Sequence, residues 1–270
     1  MAPLHRFSLL LFTICTVLFS CNEHQSSSGK KDDSDQQVQV YPPAEGFNAA
    51  ASDSTAIAIA DSVMVAMGGY EAWNNLRYIK WNFFGIRDLI WDKQTGLVRI
   101  DAPRDSMVYL INVQGDTGKV AKKGQPYTHP DSVAKYVKRG KSIWINDSYW
   151  LVMPFKLKDT GVTLKYLDQD TTMQGTPAHV LELTFNEVGD TPENKYEVFV
   201  DKNDFLIKQW SYFRSYSQDS ASAIWPWDNY QRYQGVLLSG NRSDNRGPKA
   251  IVVYDSLPDQ VFNSFEKPAY

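Results

Sequence analysis

Between residues 78 and 254 the chain repeats one pattern: a short run in which apolar and polar side chains alternate, then a polar turn. In "RYIKWNFFGIR" Ile79, Trp81 and Phe83 share one face. In "DSMVYLINVQ" Met107, Tyr109 and Ile111 do, with Val108 and Leu110 opposite, and in "HVLELTF" Leu181, Leu183 and Phe185 oppose Glu182 and Thr184. A period of two is the repeat of a β-strand with two different faces. "KYEVFVDKNDFLIKQWSYFR" reads as a hairpin turning at Asp-Lys-Asn-Asp, and "YQRYQGVLLSG" and "KAIVVYDS" follow as further strands. "DKQTG", "QGDTG" and "SDNRGP" punctuate the runs. About nine to eleven strands result, and their short connections require antiparallel pairing. A sheet of that many strands curls.

Two segments carry a helical repeat instead. In "SDSTAIAIADSVMVAMGGYEAWNNL", Ser52, Asp53 or Ser54 can cap a helix whose face is Ala56, Ala60, Val63, Met64 and Met67, and Gly68-Gly69 stops it. From Pro130 to about Met153, Val133, Val137, Trp144 and Leu151 lie on one side, and Pro154 ends the run. Gly140 sits mid-run at a cost of about 1 kcal/mol relative to Ala, so one helix and two helices meeting at a bend both fit. A helix ahead of the sheet and another inserted midway can together cover a concave face. The expected fold class is mainly β with few helices (α+β), a curved antiparallel sheet under an N-terminal helix and a mid-chain helical lid. With 43% hydrophobic residues in 270, the chain can bury a real core.

The N-terminus belongs to neither pattern. Residues 1–20 hold one formal charge, Arg6, followed by the apolar run "FSLLLFTICTVLF". Thirteen residues are too few for a bilayer, which takes roughly 20, so the segment reads as an export signal. The junction "LFSC", Leu18 to Cys21, resembles the bacterial lipobox, with Phe19 bulkier than usual in its slot. That resemblance implies cleavage before Cys21, diacylglycerol on its sulfur and acylation of the new amino group; the alternative is ordinary secretion with a free Cys21. Several acyl chains hold a protein to a membrane durably. Cys15 leaves with the signal, so the mature chain has one cysteine and no internal disulfide. Asn22 to Ser52 is polar and small-residue rich, a tether of roughly 30 Å as a flexible coil. Its "KKDD" is either a surface-export signal of the Bacteroidota kind or plain solvated linker. The organisation expected is therefore 1–20 signal peptide, 21–52 lipidated cysteine and tether, and 53–270 folded domain.

The order of elements resembles the LolA/LppX-like outer-membrane lipoprotein-sorting fold, an unclosed β-barrel with helices acting as a lid. "MGGYEAWNNLRYIKWNFFG" is similar to its opening helix, glycine break and first strand, and "MQGTPAHVLELTF" to its mid-chain strand pair. "YEVFVDKNDFLIKQWSYF" resembles its hairpin and "IVVYDSLPDQVF" its closing strand. The "WINDSYWLVMPFKLKD" segment resembles a Bacteroidota-type lipoprotein subgroup rather than the soluble periplasmic carrier, and a lipobox departs from a carrier that shuttles freely. The resemblance implies an apolar groove for a lipid or lipoprotein acyl chain, in a protein held in the cell envelope, at the outer membrane.

Chemistry-bearing motifs are sparse. Lys and Arg total 28 against 31 Asp and Glu, with no basic stripe, so nucleic acid is not an expected partner. His5, His24, His129 and His179 form no ligand pair, and "DKND" at 201–204 lacks the twelve-residue calcium ladder, so neither metal nor cofactor is expected. No nucleophile elbow, phosphate loop or dinucleotide fingerprint occurs, so an enzyme is not expected. What stands out is the aromatic content, 8 Trp, 15 Tyr and 13 Phe. Such residues either fill the space between helix and sheet or wall an incompletely filled groove. Trp81, Phe83, Met107, Tyr109, Ile111, Trp144, Trp150 and Met153 are the candidate groove residues, where strand faces and lid converge. Trp225 and Trp227, flanking Pro226, form a candidate interaction loop: exposed, they could dock a glycan or an unidentified protein partner; packed, they cover the rim. An acyl-chain binder and a non-catalytic interaction module are the two competing functions.

Overall fold

Alternation becomes fourteen strands in the computed structural model, which describes residues 41–268. The signal segment 1–20, Cys21 and the tether as far as residue 40 lie outside the described residues. A first meander runs β1 (Tyr78–Phe83), β2 (Arg87–Asp92), β3 (Leu97–Ala102), β4 (Met107–Asn112), β5 (Thr117–Lys122) and β6 (Gln125–Pro126). The last strand of the chain, β14 (Pro248–Tyr254), returns to pair with β1, making seven strands. A second sheet contains β7 (Val162–Thr171), β8 (Pro177–Phe185), β9 (Lys195–Asp201), β10 (Ile207–Phe213) and β11 (Ala223–Pro226). The hairpin of β12 (Asp228–Tyr233) and β13 (Val236–Asn241) completes the set. Every pairing is antiparallel. The sheets curve and do not close into a barrel.

The expected curved, unclosed antiparallel β-structure under helices is what is found, its strands divided among two sheets and a hairpin. The break falls where α3 (Pro130–Val152) is inserted between β6 and β7, because a 23-residue helix carries the chain away before β7 can join the first edge. Residues from both sheets and from the helices still share one core, including Trp81, Ile100, Tyr109, Leu181, Leu183, Val198 and Trp210.

α1 (Ser54–Ala66) buries Ala56, Ala60, Val63 and Met64, the expected face, together with Ile59 and Asp61. Asp53 precedes it, but its carboxylate accepts from the Tyr166 N–H at 3.0 Å and from Lys165 instead of capping the helix. Gly68 follows at φ +116°, and a Cβ there would lie 2.2 Å from the Gly235 carbonyl oxygen, so only glycine lets this turn meet the β12–β13 hairpin. A short α2 (Tyr70–Asn75) then leads into β1.

α3 is one unbroken helix, with Gly140 at its contact with the sheet rather than at a bend. A Cβ at Gly140 would sit 3.1 Å from both Ile111 Cδ1 and Tyr109 Cδ1, so the missing side chain sets how closely helix and sheet approach. Further along, buried Asp147 accepts two hydrogen bonds from the Arg87 guanidinium of β2, at 2.7 and 2.8 Å. The final helix, α4 (Gln260–Asn263), packs Val261 inward.

Residues 41–52 correct the expected tether, which was to run as far as residue 52. Tyr41 is buried, its carbonyl accepts from Lys158 Nζ at 2.7 Å, and that ammonium pairs with buried Asp61. Backbone bonds from Ala44 to Lys158 and from Asn48 to Val162 continue the strap. Polar composition suggested solvation; here the strap's polar backbone is satisfied by the edge of β7 and the turn before it.

Candidate functional site

The register of the second sheet gathers aromatic side chains at one end of its inner face. Leu183 of β8 lies opposite Tyr196 of β9, Val198 opposite Trp210, and Tyr196 opposite Tyr212 of β10. Phe185 extends the Leu181–Leu183 row. Large rings therefore gather at 185, 196, 212 and 210, the last in one row with Leu181 and Val198, while Val200 lies further along the face.

α3 approaches that end with Ile145, Tyr149 and Trp150, but the two surfaces do not fill the space. A cavity of about 660 Å³ remains, walled by Trp144, Tyr149, Trp150, Phe185, Tyr196 and Trp210, with Ser142, Lys156, Asp159 and Asp190 among its polar lining residues. This lies within the range of small-molecule sites, roughly 300–1,000 Å³. The rings brace one another: Trp150 and Trp210 meet edge-on at 4.5 Å between centroids, while Tyr196 lies tilted against Trp210 at 4.9 Å and against Tyr149 at 5.6 Å. Ser142 of α3 hydrogen-bonds Asp190 of the β8–β9 connection, and Lys156 pairs with Asp159.

Burial governs the ionisable groups of the wall. It pushes the Tyr149 phenol well above its ordinary value and Tyr196 up to about 12, so both stay protonated at physiological pH. Tyr196 and Tyr212 share Asn194 as a partner, the latter at 3.4 Å. By contrast, the Tyr149 hydroxyl and the indole nitrogens of Trp144 and Trp210 are buried with no hydrogen-bond partner among the described residues.

The expected groove residues divide sharply. Trp144 and Trp150 line the cavity. Trp81, Phe83, Met107, Tyr109, Ile111 and Met153 do not; all six are buried in the core. The expected groove beneath α3 at β4 is solid, because Gly140 lets the helix settle directly on Tyr109 and Ile111. The opening is instead on the flank of α3 toward β8, β9 and β10. Tyr149, Tyr196 and Trp210 were missed there, although the hairpin turn at 201–204 already places Tyr196 and Tyr212 across from each other.

Trp225 and Trp227 form no loop. Trp225 pairs with Trp210 across β11 and β10 and meets Trp150 edge-on at 5.8 Å. Trp227 is fully buried, with the Arg242 guanidinium 3.3 Å from its ring centroid. Arg242 in turn donates to the Trp150 carbonyl near the end of α3. The "DKND" stretch is the β9–β10 turn, where Asp201 accepts from the Asn203 N–H at 2.7 Å. His179 stands on β8 with its Nδ1 3.2 Å from the Tyr166 hydroxyl, away from the cavity.

No protein-family model matches the chain, and no curated protein is similar to it. Among the crystal structures that resemble it in outline are the following. A DUF1329 family protein from Desulfovibrio piger is 12% identical, with a TM-score of 0.43 over 77% of this chain and 96% of that one. A putative outer membrane lipoprotein-sorting protein domain from Vibrio parahaemolyticus is 10% identical, with a TM-score of 0.35 over 72% and 93%. A LolA superfamily protein from Nitrosomonas europaea is 11% identical, with a TM-score of 0.31 over 75% and 96%. Likenesses of this size carry no ligand or activity over to this chain.

Proposed function

We propose that this chain is a membrane-anchored lipoprotein of the cell envelope that holds a lipid or lipoprotein acyl chain in the cavity between α3 and the second sheet. The observation that carries this reading is the cavity itself: about 660 Å³, with a cluster of aromatic rings on its wall beside polar side chains. Apolar walls with a few polar groups are what a lipid site needs. Anchoring through Cys21 rests on the "LFSC" junction behind a short apolar run. Among the described residues no helix is long and apolar enough to cross a membrane. The strap at 44–48 bonds to the stretch 158–162, which includes the cavity-lining Asp159, Thr160 and Val162.

A non-catalytic role fits the same wall. Neither His129 nor His179 lines the cavity, so Ser142 has no imidazole base beside it. Docking through Trp225 and Trp227 is disfavoured, since Trp227 is enclosed and Trp225 packs against Trp150. The test is native mass spectrometry of the full chain with Cys21→Ser, purified without detergent. Bound lipid-sized mass, lost on Trp210→Ala, is the expected result; ligand-free protein that added acyl ligands fail to stabilise overturns the reading.

A further inference from the structure

A second cleft, of about 270 Å³, opens between the β12–β13 hairpin and β14. It shares no lining residue with the aromatic cavity. Its wall is made by Asn229, Gln231 and Tyr233, alternate residues of β12, by Asn245 of the β13–β14 turn, and by Lys249 and Ile251 of β14. In a regular strand Lys249, Ala250 and Ile251 would not all face one cleft, because successive side chains point to opposite sides. β14 is bulged there: its register with β1 shifts between Lys80 and Asn82, and Ala250 takes φ +47°. A bulge re-aims side chains in this way. Gly240 lies at the floor. A Cβ there would sit 3.2 Å from the Pro248 carbonyl oxygen, 3.8 Å from Ile251 Cδ1 and 3.9 Å from Asn229 Nδ2, so a side chain would occupy the space between the strands.

The polar groups of this cleft are accessible: Asn229, Gln231, Asn245 and Lys249 are all exposed. Gln231 Nε2 donates to Asn229 Oδ1 at 3.0 Å, which orients both amides and leaves the Asn229 Nδ2 as donor beside the Gln231 Oε1 as acceptor. Asn241 also lines the cleft, but its Oδ1 is enclosed and plays no part. Lys249 is the one charged lining residue.

We infer that this cleft is a saccharide site that takes one uncharged sugar ring, with the amides and Lys249 on its hydroxyls and the half-buried Tyr233 ring against its C–H face. The inference stands apart from the acyl-binding reading. A sugar hydroxyl donates and accepts at once, as the carboxamides do, so the two match without any net charge. A phosphate or carboxylate is held by planar guanidinium forks or several cations, and the wall has a single flexible ammonium. A hard metal ion takes carboxylate oxygens, and the wall has none.

The full chain with Cys21→Ser is titrated with glucose, galactose, mannose and N-acetylglucosamine, binding being read by saturation-transfer NMR on the sugar protons. At least one of the four is expected to bind, and inorganic phosphate should not displace it. Gln231→Ala and Lys249→Ala, both at exposed positions, should keep the wild-type melting temperature and each weaken that sugar roughly three- to tenfold, as loss of one hydrogen bond does. Failure of all four sugars to bind overturns the inference. So does sugar binding that both variants leave unchanged, which would place it elsewhere on the molecule. Displacement of the sugar by phosphate would make the cleft an anion site and overturn it equally. None of these results bears on the acyl-binding reading.

Discussion

Lys93 shows how far a single half-buried cation is shaped by its surroundings. Its ammonium donates to the Trp73 carbonyl at 2.6 Å and the Leu76 carbonyl at 3.1 Å, at the C-terminal end of α2, and lies 4.0 Å from the Trp73 ring centroid. Such a position favours positive charge electrostatically. Desolvation nevertheless dominates and lowers its pKa to about 8. In the unfolded chain a lysine titrates near about 10.4, so between about pH 8 and pH 10 the unfolded state binds the extra proton. Raising the pH through that window therefore adds stability through this residue. Lys93→Met should lose that increment, seen as a thermal-melting difference from wild type that shrinks or reverses sign as the pH rises; a constant difference would refute the burial effect. Nothing in "WDKQTG" announced this behaviour, because a turn lysine is ordinarily solvated and its burial is created by the ring of Trp73, twenty residues away.

α3 combines a legible and an illegible part. Its extent followed from the apolar spacing at Val133, Val137 and Leu151 and from the proline beyond it. The role of Gly140 did not, since a glycine in a helical run reads equally as a defect, a bend or a contact. The structure makes it a contact, against Tyr109 and Ile111. Gly140→Leu should therefore destabilise the domain by about 1–3 kcal/mol through overpacking, despite the better helix propensity of leucine. Chemical denaturation decides the point: a midpoint equal to or above that of wild type would show that the helix has room to lift. The hairpin of β9 and β10 was legible as strand, turn, strand, but not the register shift between Ile207 and Gln209, which depends on the pairing itself.

For the whole molecule, the anchor and the domain make separable predictions. Cys21→Ser removes the proposed acylation site and should move the protein from the membrane fraction to the soluble one, with loss of metabolic labelling by a radioactive fatty acid. An unlabelled wild-type protein would end the anchoring proposal without touching the cavity. The packing of the strap at 41–52 had no signal in the sequence, since the bonds that hold it run to residues 158–164, more than a hundred positions away.

Alternation and turn chemistry alone determined that this chain is an antiparallel β-protein with two helical interruptions. Those features are local, and each is enforced within a few residues by the backbone. Period two also sorts residues onto faces, which is how Trp81, Tyr109 and Ile111 came out together and buried. It cannot say which face meets which flank of a helix, nor where two curved surfaces fail to touch. That depends on distant partners: Gly140 seating α3 on the first sheet, and the rings of Tyr149, Tyr196 and Trp210 propping it off the second. The cavity is the difference between those two fits, and only the tertiary structure contains it.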